Sequence, residues 1–281
     1  MTGRMENGEY RILLHALGYV ALTIAVLLVA FPFLWMLETS VKSQLEATAF
    51  PPTILPEQWH FENYATAWGA APFGRYFLNS GLVSALTALI LTGTSALAGY
   101  AFGQLRFRGR STLFALFLAS LFVPPEVTLI PNFLTINFLH WQNTYAALIL
   151  PNAVGMFSIL LLRQAFRGLP SELAEAAALD GCGRFSYLWL VGLPLVKPML
   201  AVVALLGFLK AWNDFLWPLV VTSVPSMRTV QVGLSVFVLD ASVQYPLLMA
   251  AACFVVAPIL VFYLVAQRQF VTSLARTGLK G

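Results

Sequence analysis

Long apolar runs separated by short polar intervals dominate this chain, and their lengths predict helices that cross a bilayer. An uninterrupted apolar run of roughly 20 residues suffices for one crossing. The first run extends over about 15–37. Phe31-Pro32-Phe33 offers no small-residue cleavage site, so an uncleaved span is predicted rather than a signal peptide. Further runs predict spans over about 76–102, from 112–122 onward through a proline-rich break, over 145–162, from 194–198 to 210–215, and over 246–266. The predicted fold class is all-α: a single polytopic membrane domain, 1–281, of about six transmembrane helices.

The intervals between the runs carry their own signals. Residues 38–75 form the longest polar interval, and Pro51, Pro52, Pro56 and Pro72 discourage a span there. An external loop with a short helix near 61–68 is predicted. Its aromatics Trp59, Phe61, Tyr64 and Trp68 allow two readings, contact with a binding protein or packing on the bilayer surface. The second span is rich in small residues such as Gly81, Ser84, Ser95, Ala96 and Gly99, which let helix backbones approach closely in lipid. It is predicted to be central. In the third run, Pro124, Pro125 and Pro131 free backbone carbonyls and predict a kink. Glu126 beside them either lines a wet transport path or sits at the outer interface. A second external loop is predicted over 221–243. Just before it, Trp212, Asn213 and Asp214, with Trp217, combine flat apolar rings and hydroxyl-bonding groups, as a sugar-like solute requires; an aromatic belt at a helix end reads equally well.

Charge then sets orientation. The chain is 59% hydrophobic and only 10% charged, with mean hydropathy +0.79 and a formal net charge of +4. Its basic residues are scattered through short loops, which speaks for membrane orientation and against nucleic-acid binding. With both termini inside, only Lys42, Arg75, Lys210 and Arg228 of the 16 Lys and Arg fall outside cytoplasmic segments. That asymmetry predicts cytoplasmic segments 1–14, 169–187 and 267–281. Cys182 and Cys253 suggest neither a disulfide nor a thiolate site, and His15, His60 and His140 lack metal-ligand spacing.

The cytoplasmic segment 169–187 contains the most informative stretch. Pro170 and Ser171 are helix-starting residues, Glu172 and Glu175 place negative charge near the helix N-terminus, and Gly181 supplies a stop. Ala174, Ala177, Ala178 and Gly181 leave one face with little bulk, fit for close approach to another surface. Glu175-Ala176-Ala177, three residues, Gly181, nine residues, then Val191-Gly192-Leu193-Pro194 resembles the EAA loop of bacterial ABC importer permeases, with Val191 where the pattern has Ile. The flanking Leu169-Pro170 and Leu179-Asp180-Gly181 resemble the maltose and glycerol-3-phosphate branch.

The resemblance implies a MetI-like permease bundle in a bacterial or archaeal inner membrane. Its cytoplasmic coupling helix would dock an ABC ATPase dimer through Glu172, Glu175, Ala176, Ala177, Asp180 and Gly181. A second homologous permease subunit, an extracytoplasmic solute-binding protein and membrane lipid complete the implied partners. The chain would be no enzyme and would bind no cofactor itself, ATP and Mg being used by the ATPase; it has no phosphate-binding Gly-x-x-x-x-Gly-Lys-Ser/Thr loop. The tail Gly278-Leu279-Lys280-Gly281 is similar to the ending of maltose-type permeases, and reads equally as a solvated end. Two other classes compete. An ion-gradient-driven transporter would show inverted repeats with matching broken helices. A membrane enzyme would show clustered nucleophile and base residues within spans.

Overall fold

Backbone amides in lipid must find partners within their own segment, which helices provide. The computed structural model, which describes residues 6–239 and 242–277, is helical apart from one hairpin of two-residue strands. Contacts divide the chain into two compact units, one running to Ala71 and resuming over Val236–Pro258, the other covering Pro72–Ser235 and the residues from Ile259 on.

In the first unit, α1 (Glu6–Thr39) contains a 26-residue apolar stretch, Leu14–Thr39, none of whose best window is buried. Over that window the helix is long and apolar enough to cross a membrane and is exposed among the described residues. The chain beyond it is tightly strapped. Lys42 is buried, pairs with Glu38 one turn back and donates to the Thr53 carbonyl at 2.6 Å. The Ser43 hydroxyl caps α2 (Gln44–Ala47), and the Glu46 carboxylate accepts from the Thr53 hydroxyl and the Glu57 amide at 3.1 and 2.9 Å. The short helix predicted near 61–68 is α3 (Glu62–Gly69). Its Asn63 amide donates to the Ser40 and Lys42 carbonyls at 3.0 and 2.9 Å. The predicted external loop is therefore ordered by buried polar contacts.

In the second unit, α4 (Phe73–Gly103) is the axis, as its small residues predict. It is followed by α5 (Arg110–Ala119), α6 (Pro125–Phe138), α7 (Tyr145–Ile149), α8 (Met156–Arg167) and α9 (Ser171–Leu179). Then come α10 (Arg184–Tyr187), α11 (Leu193–Leu195), α12 (Lys197–Trp212), α13 (Leu216–Val221) and α14 (Val230–Gly233). α4 packs mainly on α8 and α12. Three predicted spans are broken: α5 and α6 meet at 100°, the α7 segment and α8 at 49°, and Arg184–Leu195 and α12 at 81°. Counting each bent pair as one crossing gives up to five spans among the described residues, and the shorter apolar stretch Tyr245–Val261 opens α15 (Tyr245–Thr277). Between α14 and α15, β1 (Val238–Leu239) pairs antiparallel with β2 (Ser242–Val243).

Asn79 shows how polar groups are handled inside this unit. It is fully buried, donates to the Ser226 and Arg228 carbonyls at 2.9 and 2.8 Å, and accepts from the Tyr145 hydroxyl at 2.8 Å. Replacing Asn79 with Leu strands two carbonyls and a hydroxyl, and is expected to cost about 2 kcal/mol in detergent thermal unfolding.

Candidate functional site

The helix predicted over 170–181 forms over Ser171–Leu179. Pro170 occupies the N-cap position and no side chain caps the first amides, so Ser171 opens the helix without serving as a hydroxyl cap. The C-terminal stop is as the sequence suggests. Gly181 takes the left-handed φ of +74°, its amide bonds the Ala178 carbonyl at 3.1 Å, and the Cys182 amide bonds the Ala177 carbonyl at 2.8 Å. That pair of bonds is the Schellman closure, for which glycine is the unstrained residue.

The two faces of α9 differ. Ala174 and Ala177 are half-buried, and with Cys182 they pack against a core of Tyr100, Leu162, Phe166, Tyr187 and Leu188. Glu172, Glu175, Ala176, Ala178 and Asp180 are exposed. The small inner face therefore seats α9 on its own protein, and the outer face carries three carboxylates. Leu179 is 90% exposed, a feature that sequence reading missed although a lone Leu closing an Ala-rich helix could have raised it.

The seat is firm. The Tyr100 ring meets Phe166 edge-on at 5.6 Å, its hydroxyl donates to the Arg184 carbonyl at 3.2 Å, and Gln104 donates to the Phe166 carbonyl at 3.1 Å. The ends of α4, α8 and α10 thus meet under α9. Further on, the winding loosens to π over Leu188–Gly192, just before Pro194, whose ring removes an amide donor and crowds the Leu190 carbonyl.

The residues considered for solute contact differ among themselves in placement. Trp212, the last residue of α12, is buried and stacked on Phe208 at 5.8 Å. Trp217 is buried in α13, its indole donating to the Ala147 carbonyl at 2.8 Å. Both rings pack within the protein, Trp217 with its N–H satisfied, as an indole in a core requires, and Trp212 against the rings of Phe208 and Phe77. Asn213 is exposed at the end of α12, and half-buried Asp214 accepts from the Trp217 amide at 3.3 Å. Glu126 is exposed in the first turn of α6, where the helix dipole favours a carboxylate. The tail 278–281 lies outside the described residues.

Residues 95–276 match the protein family described as "Binding-protein-dependent transport system inner membrane component". The chain is 34% identical to the probable ABC transporter permease protein YurM of Bacillus subtilis, over 94% of this chain and 88% of that one. It is 32% identical to the arabinooligosaccharides transport system permease protein AraQ of the same organism, over 91% and 92%. Among solved structures it resembles a chain of a bacterial ABC transporter involved in the import of the acidic polysaccharide alginate, with TM-score 0.80 and 22% identity, covering 95% of this chain and 98% of that one.

Proposed function

Because the chain belongs to the family of binding-protein-dependent transport system inner membrane components, and is an inner-membrane permease rather than an enzyme, we propose that it imports a sugar or sugar-like solute as one permease half of an ABC transporter. The sugar class draws support from the likeness to AraQ, and from Leu169-Pro170 and Leu179-Asp180-Gly181. ATP and Mg are used by a partner ATPase dimer. A second permease subunit completes the path, and an extracytoplasmic binding protein delivers the solute. The termini and the segment 169–187 face the cytosol, and the strapped interval 38–75 faces outward.

One observation carries this reading: α9 is seated inward by Ala174 and Ala177 and bare outward at Glu172, Glu175, Ala176 and Asp180. The acidic outer face meets donor groups in a groove of the ATPase. Ala174 and Ala177 seat the helix on the bundle, so closure of the ATPase dimer swings α9 together with the ends of α4, α8 and α10. The path opens on one side as it shuts on the other. Asn213 and Asp214 offer hydrogen bonds to solute hydroxyls beside the packed rings of Trp212 and Trp217, and Glu126 supplies a carboxylate at the mouth of the path. Family membership does not favour transport driven by an ion gradient alone.

The test is purification of the tagged chain from its own cell's membranes in mild detergent. An ATPase and a second permease are expected with it in stoichiometric amounts, together with solute-stimulated ATP hydrolysis once the binding protein is added. A chain that purifies alone and moves solute down an imposed ion gradient overturns the reading.

A further inference from the structure

Away from α9, positive charge collects where the chain passes from α4 to α5. A shallow, open surface cavity of about 430 Å³, lined by Arg106, Phe107, Gly109, Arg110, Ser111 and Thr112, lies there. Arg163 of α8 reaches the same corner: its guanidinium lies 4.0 Å from the ring centroid of Phe114, one turn along α5 from Arg110, and donates to the Phe102 carbonyl at 3.3 Å. Arg110 in turn donates to the Leu105 carbonyl at 2.8 Å, so backbone carbonyls hold both side chains in place. No Asp or Glu occurs between Glu62 and Glu126 or between Glu126 and Glu172, so α4, α5 and α8 carry no carboxylate. Among the described residues none of these arginines makes an ion pair. Arg110 and Arg163 are held by carbonyls with no carboxylate beside them, and exposed Arg106 adds a third positive charge, so this corner favours an anion.

The position says which anion. The apolar span Phe73–Gly103 ends just before this corner and the bent apolar pair Arg110–Phe122 and Pro125–Phe138 begins just after it. The cavity therefore sits where the chain leaves and re-enters the bilayer, at headgroup depth. Exposed Phe107 and Leu113 beside it suit the start of an acyl chain. We propose that this cavity binds the phosphodiester headgroup of an anionic membrane lipid, with Arg106 and Arg110 as the principal donors and the Ser111 and Thr112 hydroxyls completing the shell. Inorganic phosphate presents the same oxygens but has no apolar part for Phe107 and Leu113. Basic clusters at helix ends recognise anionic headgroups by this chemistry.

Native mass spectrometry of the purified full-length chain in its detergent complex tests the assignment, with phosphatidylglycerol, phosphatidylcholine or inorganic phosphate added in turn. The expected result is saturable retention of phosphatidylglycerol, none of phosphatidylcholine, and no displacement of the lipid by phosphate at equal concentration. R106Q/R110Q is expected to bind phosphatidylglycerol about thirtyfold more weakly. The double variant R184Q/K197Q, which removes the same charge at exposed positions elsewhere, is expected to bind as the unmodified chain does. Equal retention of the two lipids, displacement by phosphate, undiminished binding by R106Q/R110Q, or an equal loss in R184Q/K197Q would each overturn it.

Discussion

Changing Glu175 to Lys, or Gly181 to Trp, is expected to strip the ATPase from the purified transporter and abolish solute uptake while the chain still inserts into the membrane. Glu175 is exposed on α9 and makes no hydrogen bond or ion pair among the described residues, so its charge is available to a partner. Placing a cation against donor groups that expect a carboxylate costs on the order of 3 kcal/mol, about a hundredfold in occupancy. Gly181 acts differently. A Cβ there meets open space, but its φ of +74° imposes about 1 to 2 kcal/mol of strain on any L side chain, and an indole would stand on the docking surface. Gly181→Ala separates the two effects, because it carries the strain without the bulk and should retain most of the ATPase. Quantifying the ATPase that co-purifies, with Glu57→Lys on the predicted external loop as control, decides the matter; full recruitment by Gly181→Trp would remove α9 from the interface.

What the sequence made legible, and what it hid, follows from the range of the forces involved. α9 and its glycine stop could be read because capping, helix propensity and the left-handed turn depend on neighbours within one turn. The central place of α4 could be read because small residues have one dominant use in lipid. The breaks were harder. Pro124 and Pro125 announced a kink in the third span, but the 100° turn between α5 and α6 depends on packing that proline alone does not specify. The 49° turn before α8 falls at Ala153–Gly155, where the Ala153 carbonyl accepts from Thr94 of α4 at 2.8 Å, a partner 59 residues away. Likewise, the interval 38–75 reads as loop by its prolines, and the order of its first part rests on the buried Lys42, whose carbonyl partner Thr53 is eleven residues on. Whether an aromatic cluster faces a solute or a core is also decided at long range, by Ala147 for Trp217 and by Phe77 and Phe208 for Trp212.

The approach of α4 to α8 sets up the second large effect. A Cβ built on Gly99 would lie 2.9 Å from the Leu162 Cβ, 3.0 Å from the Arg163 amide nitrogen and 3.1 Å from the Leu162 carbonyl carbon. Two of these are backbone atoms, which cannot rotate out of the way. One turn on, a Cβ on Gly103 would lie 3.0 Å from the Phe166 Cβ and 3.3 Å from the Arg163 carbonyl oxygen, so Gly99 and Gly103 form a small-xxx-small seam against a single helix. Gly99→Leu must push the helices apart, and is expected to cost about 3 kcal/mol, ~10 °C in thermal unfolding in detergent. Gly93 lies on the same helix with nothing within 4 Å of its Cβ position, so Gly93→Ala should leave the unfolding temperature unchanged or slightly raised. The consequence reaches function, since Leu162 and Phe166, displaced by the larger side chain, are the core against which Ala174 and Ala177 seat α9. Gly99→Leu is therefore expected to lower ATP-driven uptake even where the complex still assembles. Wild-type unfolding and uptake by Gly99→Leu would show that the close approach of α4 and α8 is not what holds α9 to the bundle.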